Sequence, residues 1–195
     1  PTLNSAIRDV IDGIKEMTDI PVAVLTNGSL LWMKEVQDTL MEADVVLPSL
    51  DAGDEALFQY VNRPHPDLSF DRIVEGLVDF TRRFPGEVRL EVLLLAGVTG
   101  VKAEVKKIAE LVERIGPAIT HLNTVCRPPS EGFACPLFLE QLTALREIFP
   151  GKVDIIMEKA DQETMKSDIP ESKEGDIVAL LGRRPCTSSE VASGL

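Results

Sequence analysis

The sequence is poor in cysteine: Cys126, Cys135 and Cys186 are the only three in 195 residues. An odd number at irregular spacing excludes an even disulfide framework and fits a reducing cytoplasm better than secretion. The three are also spaced wrongly for a metal site. Long apolar runs are missing as well, since no stretch approaches the ~18–20 apolar residues needed to span a bilayer. The first 20 residues mix acids and bases where a signal peptide would need an apolar run. No membrane partner is therefore expected. Positive charge is scarce, with 20 Lys+Arg against 32 Asp+Glu and a net charge of -12. Such a chain repels phosphate backbones, which argues against DNA as a partner.

What the sequence does have is 44% hydrophobic residues, enough for one sizeable core with a small appendage. Short aliphatic runs alternate with longer amphipathic stretches, the signature of β/α units on a parallel sheet. Strands are predicted at Pro21–Thr26, Asp44–Leu50, Val88–Ala96, Ile119–Val125 and Val153–Met157. Helices are predicted at Leu3–Met17, Leu30–Met41, Phe70–Phe84, Lys102–Ile115 and Leu137–Phe149, where apolar residues recur three and four apart. Unbroken apolarity in Val22–Leu25 and Val45–Leu47 predicts strands buried on both faces. Pro85-Gly86 and Pro150-Gly151 each end a helix and lead into a strand, which points to repeated units rather than unrelated domains.

From about Asp161 a charged linker replaces this texture. A short helix over Asp176–Leu181, a turn, and a capped helix from Glu190 follow, the first half of a helix-turn-helix or winged-helix pattern. The expected organisation is a β/α core over residues 1–160 and an incomplete helical domain over residues 161–195. Pro1 in place of methionine, and a helix pattern still running at Leu195, suggest that both ends are truncated.

In parallel β/α folds, ligands gather at the carboxyl ends of the strands, where loops and helix N-termini converge. Four polar clusters fall there: Thr26-Asn27-Gly28-Ser29, Ser49-Leu50-Asp51-Ala52, Ala96 to Gly100, and Asn123 to Pro129. Ser49 and Asp51, two apart on one strand, should project from the same side and could grip a vicinal diol; equally, Asp51 could cap the helix that begins near Asp54. Glu91 lies inside a strong strand pattern, so it either faces a polar interior or pairs with a cation such as Arg127. Asn123 either satisfies loop backbone or faces a ligand. His65 and His121 have no His, Cys or carboxylate at ligand spacing in sequence and read as structural or solvent-facing, and Cys126 and Cys135 read as ordinary thiols.

Taken in order, these segments resemble the radical S-adenosylmethionine (SAM) superfamily. Pro1-Thr2-Leu3-Asn4 resembles the tail of its Gly-Gly-Glu-Pro motif, Thr26-Asn27-Gly28 its third-strand ending, and Ser49-Leu50-Asp51-Ala52 its fourth. Glu91 through Gly97-Val98 resembles the fifth strand, and Asn123-Thr124-Val125 with Arg127-Pro128-Pro129 the sixth. The resemblance covers roughly Pro1 to Met157 and is closest to the wybutosine-synthesising and glycyl-radical-activating Fe-S oxidoreductases. It implies a parallel (β/α)6-type partial TIM barrel lacking its first strands. It further implies a 4Fe-4S cluster that cleaves SAM reductively to a 5′-deoxyadenosyl radical, with electrons from a donor such as flavodoxin or ferredoxin. By the resemblance, Ser49 and Asp51 would contact the ribose. Glu91, Leu95, Val98, Asn123, Val125 and Arg127 would lie along the adenine and methionine portions, and Asn4, Thr26 and Asn27 near the methionine amine. The cluster-binding CxxxCxxC is not in this sequence and is expected upstream, so this piece alone should not turn over. The substrate, whether small molecule, RNA or protein, cannot be read from it. Two other readings stay open: a β/α sensor coupled to a helix-turn-helix, and a complete-barrel aldolase or isomerase, which lacks a strand-end lysine and a phosphate-gripping loop.

Overall fold

A computed structural model describes residues 1–126, 129 and 131–156. Five strands, β1 (Ala23–Thr26), β2 (Val45–Pro48), β3 (Glu87–Leu93), β4 (Ile119–Asn123) and β5 (Val153–Ile155), form one sheet. The sheet order is the chain order, and every neighbouring pair is parallel. The helices between them are α1 (Ile7–Met17), α2 (Lys34–Asp38), α3 (Glu55–Asn62), α4 (Phe70–Arg83), α5 (Lys102–Ile115) and α6 (Leu139–Arg146). The chain is thus an α/β protein with five parallel strands alternating with helices. The proposed linker and helix-turn-helix lie outside the described residues, as does the strand end at Met157. Among the described residues, no helix is long and apolar enough to cross a membrane.

Alternate residues of each strand point to opposite faces. Val24, Val46, Val88, Leu90, Val92, Leu122 and Val153 join one buried core with Leu77 and Phe80 of α4, Val105, Ile108 and Val112 of α5, and Leu142 of α6. Each fully buried aliphatic or Phe side chain contributes roughly 1.5–3 kcal/mol, so the core is the main stabiliser. Among the described residues, no helix covers the opposite face. Ala23 is exposed, Leu25 is 56% exposed, and Val45, Leu47, Glu91, Ile119 and His121 are half-buried. Burial of β1 and β2 on both faces, expected from their apolarity, is therefore corrected: among the described residues, helices cover one side of the sheet.

Element ends also shift, for identifiable reasons. α1 begins at Ile7 rather than Leu3 because Asn4 Oδ1 accepts from Ala6 N–H at 2.9 Å and holds a turn there. The predicted helix over Leu30–Met41 shrinks to α2, flanked by tight turns such as Leu31 N–H to Gly28 C=O (3.0 Å) and Met33 N–H to Leu30 C=O (3.0 Å). α3, a helix inserted between β2 and the barrel helix α4, is capped by Asp54, whose carboxylate accepts from Leu57 N–H at 2.9 Å. Both Pro-Gly pairs stand where the sequence placed them, and Gly151 takes φ +72°, a conformation open to glycine without penalty.

Candidate functional site

The carboxyl ends of the strands and the open face together form the candidate site. Asn27, Ser49 and Glu91 come together there, lining with Thr2, Thr26 and Ser29 a cavity of about 390 Å³. Ser49 and Glu91 pair directly across β2 and β3, and Asn27 follows the Thr26↔Pro48 pair, so it stands beside Ser49. Asn123 pairs with Leu93, two residues beyond Glu91, and so shares this face one step nearer the mouth. The ladder continues past β2 through Leu50 N–H to Glu91 C=O at 2.9 Å. Residues 49, 91 and 123 thus sit on one surface.

Their side chains differ in how far they are already committed. Thr26 is buried, its Oγ1 accepting from Gly28 N–H and lying 3.3 Å from Thr2 Oγ1. Asn27 accepts from Ser29 N–H at 3.2 Å through Oδ1, which leaves its amide NH₂ available. Asn4 is spent on its own turn. Leu95 and Val98 are buried in the turn after β3, tied by Thr99, whose hydroxyl donates to Leu93 C=O (2.9 Å) and accepts from Leu95 N–H (2.8 Å). Leu95 C=O accepts from Val98 and Gly100 N–H. Val125 is half-buried beyond β4, and Arg127 lies outside the described residues. The Glu91 carboxylate is half-buried and has no ion-pair or hydrogen-bond partner among the described residues; the expected partner Arg127 lies outside them. Asn123 Oδ1 is buried with no partner.

Asp51 departs from expectation. It does not cap α3, and its carboxylate does not simply stand beside Ser49. Oδ1 accepts from Leu93 N–H at 3.1 Å and Oδ2 from Asn62 Nδ2 at 2.9 Å, so Asp51 finishes the β2/β3 ladder with a side chain and ties it to the end of α3. Burial raises its pKa above the ordinary carboxylate value, against the lowering effect of these two bonds. The folded state therefore holds this proton more tightly than the unfolded chain. The stability contributed is full below the ordinary carboxylate range and is lost as pH rises through the raised value. Asp51→Asn should leave stability near pH 7 unchanged or higher and remove that stretch of pH dependence, whereas Asp51→Ala should cost about 1–3 kcal/mol by orphaning Leu93 N–H. Urea unfolding of both variants across acid to neutral pH checks this.

Next to Asn62, Arg63 reverses the chain at φ +45°. Its guanidinium bonds Glu131 at 2.7 Å and lies 5.6 Å from the Phe133 ring, which packs on Tyr60. α3 thereby clasps the loop after β4. Sequence reasoning read His121 as structural or solvent-facing and did not single out Asp154; the register sets both in the row of Glu91. Glu91↔His121 and His121↔Asp154 are register pairs, so an imidazole without a carboxylate nearby in sequence has one on each adjacent strand. The available signal was a polar residue at the open-face position of each of two apolar strands.

No family model matches the sequence. Curated relatives are a protein of Brachyspira hyodysenteriae named GTPase Obg, 36% identical over 193 residues, and UPF0026 proteins of Methanocaldococcus jannaschii (31% over 190 residues) and Helicobacter pylori (31% over 192 residues). These matches cover 98%, 95% and 97% of this chain, but only 28%, 58% and 61% of the respective relatives. Among solved structures, a domain of pyruvate-formate lyase-activating enzyme from Bacteroides vulgatus matches with TM-score 0.62 at 19% identity, over 77% of this chain and 89% of that one. Streptococcus suis SuiB bound to S-adenosylmethionine matches with TM-score 0.63 at 14% identity, over 91% of this chain and 41% of that one. The chain is thus similar in sequence to UPF0026 proteins that extend well beyond it, and its α/β fold resembles the partial barrel of radical SAM enzymes.

Proposed function

We propose that this chain is the SAM-binding part of a radical SAM enzyme, with the adenosyl group lying across the strand ends on the open face. The observation that carries the reading is the set of polar tips on one surface of a partial barrel: Ser49 and Glu91 uncommitted, Asn27 with its amide free, and Asn123 Oδ1 buried without a partner. A buried acceptor left unpaired costs about 1–3 kcal/mol, so a donor from a bound molecule would relieve it. The residues fit SAM on this count: hydroxyl, carboxylate and amide groups complement ribose hydroxyls and an amino-acid moiety. They do not fit the cluster, since no group of three metal-ligating side chains exists among the described residues. Its ligands would belong to other parts of a longer protein, as would docking of a flavodoxin- or ferredoxin-like electron donor.

When bound, SAM with its cluster would supply the radical chemistry. The chain's own part would be to hold and orient. Ser49 would anchor one hydroxyl, Asn123 would fix a donor, and Asp51 would position Ser49 by pinning the end of β2 to β3. The sheet would exclude water from the side backed by the core.

In the full-length protein, reconstituted anaerobically, SAM should bind and 5′-deoxyadenosine should form. Ser49→Ala should weaken SAM binding by roughly two- to tenfold, the equivalent of one hydrogen bond of about 0.5–1.5 kcal/mol, without changing thermal stability. Calorimetric titration with SAM decides it. Undiminished affinity in Ser49→Ala, or no SAM binding by the reconstituted protein, would remove the assignment.

A further inference from the structure

We infer that the β3–β5 side of the open face is a binding site for an organic cation, an amine or guanidine, and that this cation belongs to the substrate. Three register pairs put Ser49, Glu91, His121 and Asp154 in one row across four strands. All four are half-buried, and none has a hydrogen-bond or ion-pair partner among the described residues. Two carboxylates flanking one imidazole make the row electronegative. Half-buried carboxylates that no Lys or Arg among the described residues neutralises cost free energy that a bound cation would recover.

Among the described residues, the nearby cations do not fill this role. Arg89, on the same face two residues before Glu91, is turned to Glu87 through bonds of 2.7 and 2.9 Å. Lys152, two residues before Asp154, is exposed and forms no ion pair with it. The adjoining row on the amino side runs through Leu25, Leu47, Arg89 and Ile119, where the Arg89 guanidinium, held by Glu87, separates the aliphatic side chains of β1 and β2 from that of β4. Asn123, the next open-face residue after His121 on β4, adds the buried, unpartnered Oδ1, an acceptor suited to an N–H donor.

A single metal ion fits less well. Neighbouring strands are about 4.8 Å apart, so the row spreads its donors over three strands instead of converging them at about 2 Å on one point. An extended ligand with several N–H donors matches that spread.

Naming the cation as substrate rests on the cofactor reading above; its binding does not. The chain has two histidines, His65 and His121, so the His121 ring signals can be assigned by NMR with a His65→Gln variant. Agmatine and n-butylamine should shift the His121 signals saturably, while n-butyrate and butanamide should not. Asp154→Asn should weaken agmatine binding roughly tenfold or more and leave SAM affinity of the full-length protein unchanged. Glu113→Gln, an exposed position on α5, should change neither. Equal shifts with butyrate or butanamide, no saturable shift with agmatine, or unchanged agmatine binding in Asp154→Asn would overturn the inference. If agmatine binds as stated but SAM does not bind the full-length protein, the cation site stands and the cofactor reading falls; the reverse result spares the cofactor reading alone.

Discussion

Leu90→Ala is expected to cost about 2–5 kcal/mol, one of the largest losses available to a single change in this chain. Leu90 is completely buried on the central strand β3, on the face that meets the helices. Truncation would remove its apolar area from the core and leave a cavity that a strand held on both sides by ladders cannot close. Domains of this kind are stable by only about 5–15 kcal/mol, so the loss is a large share of the whole. Since Glu91 is the next residue and points the other way, Leu90→Ala should also loosen the open face. Urea denaturation would show a lower midpoint at unchanged slope; a loss below about 1 kcal/mol would mean that the helix-covered face is far less tightly packed than described.

Gly76→Ala should cost about 2–4 kcal/mol, although alanine ordinarily favours a helix interior by about 1 kcal/mol over glycine. Gly76 sits inside α4 where the helix lies directly on the chain at residues 31 and 32. A Cβ there would stand 2.6 Å from Trp32 Cα and 2.8 Å from Leu31 C, and backbone atoms cannot rotate aside. The neighbouring stack of Arg72 on Trp32, at 3.7 Å, should be pushed apart with it. Thermal unfolding followed by circular dichroism, with Trp32 fluorescence as a local probe, would report both effects; the sequence has one tryptophan. A gain in stability would show that α4 and residues 31–32 are not in contact.

The strands were legible because short aliphatic runs between turn signals leave few other options, and all five lie where those runs fall. Helix ends were less so, because Asn4 and the turns around Leu31 and Met33 act through single hydrogen bonds that periodicity does not encode. Exposure of Leu25 could not be read at all: an aliphatic side chain looks the same in a strand covered on two faces and in one covered on one. At the site, Ser49, Glu91 and Asn123 could be picked out as polar residues at strand ends. The role of Asp51 could not, since Leu93 is 42 positions away and their bond depends on how β2 ends against β3. His121 and Asp154 became visible together only through register, which is set by packing between strands and not by local sequence.

Because spatial order follows chain order from β1 to β5, each new strand can dock on the one made just before it. Emergence from a ribosome would therefore deliver these five strands in the sequence in which they assemble, with none of them waiting for a distant later one among the described residues to complete its ladder. The Arg63–Glu131 bridge, 68 positions apart, would close late, after β4 has been added. Synthesis halted between units should leave an ordered stub able to resume growth, in contrast to folds whose first and last strands must meet.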